Sequence, residues 1–143
     1  MTETDRNKAL VRELFQVWGE SRFDRFAELV DPDGTWWTLA ARRTRSIRDQ
    51  LVRIQGLNAE TVTGTIAFEV GTMTAEGDRV VAEVESHTDF ALQGSYNNLY
   101  TFAFRVADGR VVEARAYYDT ALANRVLRGE GTGTPGLESH RND

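Results

Sequence analysis

From Val80 to Thr120 the side chains alternate with a period of two, and this run limits what the chain can fold into. It divides into two long strands, Val80–Leu92 and Ser95–Ala107, an Asp108-Gly109 turn, a third strand Arg110–Tyr118, and a helix opening at Asp119-Thr120. Tyr96, Asn98, Tyr100, Phe102 and Phe104 alternate with Asn97, Leu99, Thr101, Ala103 and Arg105, so one face carries rings and a single amide. Rings with one placed amide suit a ligand pocket better than a sealed core.

The preceding half has a different period. Val11, Leu14, Phe15 and Trp18 fall on one helical face, predicting a helix over Asp5–Trp18 that stops at Gly19. Ser21 with Asp24 reads as a capping box for a second helix. Pro32 and Gly34 are expected to break the chain before a short strand, Thr35–Ala40, and a third helix over Ser46–Ile54 carries Ile47, Leu51 and Ile54 and stops at Gly56. From Thr63 the period becomes two, with Ile66, Phe68 and Val70 on one side and a turn at Glu76-Gly77-Asp78. Strands this long exceed the usual length, so bending and a bulge are expected. Helices first and antiparallel strands after indicate an α+β fold: a cone-shaped, curved, mainly antiparallel sheet wrapped around the N-terminal helices.

With 143 residues the chain is expected to form one domain over residues 1–128, followed by a flexible tail over 129–143. A net charge of −5 argues against nucleic-acid and anionic-membrane partners. Zero cysteines remove disulfides and thiol nucleophiles, and with only two histidines no metal site is expected. There is no phosphate loop and no dinucleotide fingerprint, and no cofactor is expected. The polar start MTETDRNK does not resemble a signal peptide, so the cytoplasm is the expected location.

The pattern Y-x-N-x-Y-x-F-x-F-x-V-x-D-G-R-V from Tyr96 to Val111, with R-x-Y-Y-D-T from Arg115 to Thr120, resembles the nuclear transport factor 2-like superfamily, and within it the SnoaL-like and ketosteroid isomerase-like group. The resemblance covers roughly Asp5 to Leu127 and implies a cystatin-like α+β barrel with an apolar mouth, and a homodimer through the outer sheet face. It does not carry over one chemistry. Aligned on these motifs, the polar residues of limonene-epoxide hydrolases fall at Ala116, Val84, Ser86, Trp37 and Leu39, none of them kept, so that machinery is absent. Ketosteroid isomerases need a carboxylate base and a tyrosine in the first helix. Here no acid stands near Thr38 or Leu39, and only Phe15 or Trp18 approximates the tyrosine.

Alternation assigns faces. Val80, Ala82, Val84 and Ser86 should face the cone, leaving Glu83 and Glu85 outside near Arg115. Ala116 and Tyr118 should also face inward. Trp18, Trp37, Leu39, Ser86, Tyr96, Phe102, Ala116 and Tyr118 are therefore the ligand-binding candidates, with Phe15 and Phe104 deeper. Asn98, Tyr100, His87 and Asp89 are the catalytic candidates. An amide among rings needs a partner: either a ligand oxygen, where it stabilises developing negative charge, or a purely structural bond. Tyr100 and Tyr118 either offer phenols to the cavity or pack with their hydroxyls on backbone. Strict parity leaves His87 outside beside Glu85; only a bulge would bring it, with Asp89, into the mouth. Asp119 reads as a helix cap, and the arginines around the third helix (Arg42, Arg43, Arg45, Arg48, Arg53) as a solvated face rather than an anion rim.

Two functions fit. One is a cofactor-independent cyclase, isomerase or lyase acting on an apolar, oxygenated carbonyl compound, with an oxyanion held by Asn98 and a tyrosine and a proton moved by His87 or Asp89. The other is a non-catalytic ligand-binding or dimerisation module.

Overall fold

The computed structural model describes residues 1–61, 66–90 and 94–127; the expected tail lies outside them, as do Thr63 and the end of the strand expected to reach Leu92. The order is α1 (Glu3–Gly19), α2 (Phe23–Glu28), β1 (Val30–Thr38), β2 (Arg43–Ser46), α3 (Ile47–Thr61), β3 (Ala67–Glu76), β4 (Arg79–Phe90), β5 (Gly94–Ala107), β6 (Arg110–Tyr118) and α4 (Thr120–Leu127). The strands form one six-stranded sheet, β2-β1-β6-β5-β4-β3. It is curved but does not close, so the cone is open, with β2 and β3 as its edges. All pairings are antiparallel except β1 with β6, which is parallel.

A capping box starts α1: Thr2 Oγ1 accepts from the Asp5 amide at 3.1 Å, and Asp5 returns a bond to the Thr2 amide. Val11, Leu14 and Phe15 on its apolar face are buried. The helix ends at Gly19, where a Cβ would stand 2.5 Å from the Ile66 carbonyl oxygen as α1 meets the start of β3. Phe15 packs against Phe102 at 5.0 Å and Phe104 at 5.9 Å, joining α1 to the concave face of β5. Burial of this aromatic set is the main attraction between helix and sheet.

Several local expectations are corrected. The Ser21–Asp24 capping box does not form: Ser21 takes a φ of 59°, Arg22 is the N-cap, and no side chain caps α2. Pro32 and Gly34 lie inside β1 rather than before it; the pairing with β6 slips between Val30 and Thr35, and the slip accommodates a proline with no amide to donate. Gly56 does not stop α3, which runs on to Thr61. Strand β2, RTRS, gives no apolar alternation because it is a short, charged edge. The expected bulge occurs in β3, between Val70 and Met73, and the β5–β6 pairing also shifts between Arg105 and Val106, where β6 carries the extra residue.

Candidate functional site

Strands β4 and β5 pair without a slip from Arg79↔Arg105 to Phe90↔Gly94, and this unbroken register builds the polar part of the concave face. Val80, Ala82, Val84, Ser86 and Thr88 point inward and are buried. Their partners on β5 are Phe104, Phe102, Tyr100, Asn98 and Tyr96. The apolar rungs therefore lie deep, and the hydroxyls and the amide gather toward the mouth.

There the polar groups bond to one another. Asn98 Nδ2 donates to the Tyr96 hydroxyl at 2.6 Å and to the backbone carbonyl of Asp119 at 3.1 Å. Asn98 Oδ1 accepts from the Leu99 amide at 2.8 Å, and the Asn98 amide donates to Ser86 Oγ at 3.3 Å. The Tyr96 and Tyr100 hydroxyls stand 2.8 Å apart. Burial raises the pKa of Tyr96, and raises that of Tyr100 well above the ordinary phenol value. Both are thus neutral, proton-bearing phenols at neutral pH.

A cavity of about 70 Å³ lies beside them, walled by Trp18, Ile54, Leu57, Ile66 and Phe68 and reached by Ser86, Thr88, Tyr96, Tyr100 and Asn58. Thr88 is buried and its Oγ1 has no hydrogen-bond partner. No carboxylate or imidazole is among the described residues that line this cavity. A cleft of about 380 Å³ shares Ile54 and Leu57 with this cavity and is lined from α3, the β1–β2 turn, the end of β6 and α4.

Five of the expected ligand-binding residues, Trp18, Ser86, Tyr96, Phe102 and Ala116, do turn inward, but Phe102 and Ala116 are sealed in the core. Tyr118 lines the cleft and packs on Tyr100 at 5.1 Å between ring centres. Trp37 is corrected: it lies on the outer face, with the Arg115 guanidinium 4.3 Å from its ring and Tyr117 at 5.1 Å. Its neighbour Trp36 takes the inward position and is buried. Leu39 lies past the end of β1, bonded through its amide to the Ala116 carbonyl, and lines neither hollow. His87 stays on the outer face, its Nε2 3.0 Å from Glu85, because no bulge interrupts β4–β5. Arg115, on the same outer face as Glu83 and Glu85, donates from its Nε to the Tyr117 hydroxyl at 2.9 Å. The Asp89 side chain lies outside the described residues. Asp119 caps α4 by accepting from the Leu122 amide at 3.0 Å.

Sequence reasoning missed Thr88, although it is the next inward position after Ser86, and it missed the α3 wall of Ile54 and Leu57. Among the described residues no group of three or more His, Cys, Asp or Glu is placed to hold a metal ion, and no helix is long and apolar enough to cross a membrane.

Residues 11–114 match the profile of the SnoaL-like domain family. No curated protein matches the sequence. Among solved structures, similar folds include a proposed isomerase from Bacillus subtilis (17% identity, 90% of this chain and 97% of that one, TM-score 0.76). An LEH-like epoxide hydrolase from M. tuberculosis is 18% identical over 91% of this chain and 96% of that one, with TM-score 0.74. IdmH, a proposed polyketide cyclase from Streptomyces antibioticus, is 17% identical over 88% and 99%, with TM-score 0.73. At these identities the likeness establishes the fold.

Proposed function

This chain belongs to the SnoaL-like family of the nuclear transport factor 2-like superfamily, and from that premise we propose that it is a cofactor-independent cyclase or isomerase of a small, apolar carbonyl compound. The observation that carries the reading is the Tyr96–Tyr100 pair, two neutral phenols 2.8 Å apart beside an aromatic cavity. A substrate carbonyl oxygen at this position accepts a hydrogen bond from the phenol whose O–H is not spent on the other, and this bond strengthens as the oxygen becomes an enolate. Asn98 acts one step back: both its N–H groups are already engaged, one on Tyr96, so it positions that phenol.

The cavity supplies donors and no described base, which narrows the substrate to one with an activated C–H. A methylene between two carbonyls gives up its proton to water once the enolate oxygen is held. Similar folds assigned to isomerisation and polyketide cyclisation support this reading.

A second reading, a non-catalytic ligand-binding module, is favoured by the same lack of an acid or base among the described residues that line the cavity. Mass spectrometry of the protein purified under native conditions identifies any retained molecule. Tyr100→Phe then separates the readings: loss of an oxyanion donor lowers kcat on the order of a hundredfold, whereas a binding module loses affinity alone. If Tyr100→Phe changes neither, both readings fail.

We further propose that the outer sheet face joins two copies of the chain. Leu99 is 68% exposed there, with Val81 and Tyr117 also open to solvent.

A further inference from the structure

The tyrosine cavity is too small for a whole substrate of the kind its chemistry suits. An apolar cavity of roughly 150 Å³ holds benzene, and this one measures about 70 Å³. A carbonyl group with a methyl on either side is near the limit of what it takes, and an attached ring or chain has to lie elsewhere. Small-molecule sites ordinarily span roughly 300–1,000 Å³. The cleft, at about 380 Å³, falls in that range.

The two hollows are neighbours. Among the described residues, Ile54 and Leu57 line both. These two stand three positions apart on α3 and so share one helix face. On the sheet side, Tyr100 lines the cavity and Tyr118 lines the cleft, and their rings pack at 5.1 Å between centres. About one layer of side chains therefore parts the hollows. Ile54 is 6% exposed and belongs to the core cluster, whereas Leu57 is half-buried. Of the two, Leu57 has the freer choice of rotamer.

We propose that the two hollows are halves of one substrate site, and that Leu57 sets how large a substrate it admits. This rests on the reading that a carbonyl end lies at the Tyr96–Tyr100 pair. The carbonyl end takes the cavity, and the ring or chain attached to it takes the cleft, against Ile54 and Tyr118. Leu57 turns aside between them. The substrate class narrows accordingly to a dicarbonyl compound that bears an apolar ring or chain on one carbonyl.

Acetone and benzoylacetone are the probes: the first is smaller than benzene, and the second joins a phenyl ring to a methylene between two carbonyls. In a nitrogen-15 NMR titration, acetone should shift the backbone amides of Ser86, Thr88 and Tyr100 and leave those of Ala40 and Ala41 in place. Benzoylacetone should shift both groups with a single dissociation constant. Leu57→Ala should tighten benzoylacetone about fivefold and leave acetone unchanged. The two-group shift is read on the unaltered protein, so it decides the matter even if the variant does not fold. If acetone moves none of the cavity amides, the carbonyl reading and the two-part site fail together. If acetone moves them but benzoylacetone leaves Ala40 and Ala41 in place, or moves the two groups with different constants, the reading stands and the two-part site falls. An unchanged benzoylacetone affinity in folded Leu57→Ala overturns the role given to Leu57.

Discussion

Asn98 ties the middle of β5 to the start of α4, its Nδ2 bonded to the backbone carbonyl of Asp119 at 3.1 Å. The same nitrogen holds the Tyr96 hydroxyl, so one buried side chain fixes both the closing helix and a candidate oxyanion donor. Asn98→Ala leaves a carbonyl, an amide and a phenol without this partner. Urea denaturation should show a loss of about 1–3 kcal/mol, and a variant of unchanged stability would mean that these bonds contribute nothing net.

Thr88 presents the opposite case. Its hydroxyl is buried and unpaired, so Thr88→Val removes a desolvated polar group at nearly constant volume. The ligand-free protein should gain roughly 1 kcal/mol in thermal or chemical denaturation. A substantial loss would mean that a water or ligand completes the hydroxyl.

The two phenols set the alkaline limit. Their folded pKa values lie above the ordinary phenol value of 10.0, chiefly because burial penalises the phenolate. A raised pKa contributes stability that is fully present below the unfolded value and is lost as pH rises through the folded value. Stability should therefore be insensitive to these groups at neutral pH and decline from about pH 10 upward. Urea melts across the alkaline range should show that decline weakened in the Tyr96→Phe, Tyr100→Phe double variant.

On the outer face, Leu99→Glu sets a new carboxylate directly across from Glu85 of β4. If that face joins two copies, light scattering should find the unaltered protein as a dimer and Leu99→Glu as a monomer of similar stability. Identical masses for the two proteins would rule the interface out.

How far the sequence could be read depended on contrast between neighbouring side chains. On β4 the inward Val80, Ala82 and Val84 alternate with Glu83 and Glu85, so parity was plain, and the exposed position of His87 followed from it. Trp36 and Trp37 offer no such contrast. Either ring fits a buried face, and which one turns inward is decided by the parallel pairing Trp36↔Ala114 with a strand nearly eighty positions later, roughly the longest separation in the sheet. The Asn98 amide was legible as needing a partner, but its partner is the carbonyl of Asp119, a backbone atom that local pattern cannot locate. Thr88 was one step of the same alternation beyond Ser86, and the cleft was hidden because its walls come from four separate elements.

The parallel seam between β1 and β6 has a consequence for biosynthesis. Trp36, paired on one side with Arg45 of β2, gains its second strand neighbour, Ala114, only when Arg110–Tyr118 has left the ribosome, so a nascent chain carries an unfinished sheet until then. Such long-range closure slows folding, and it leaves the inner face of the sheet incomplete until that strand arrives.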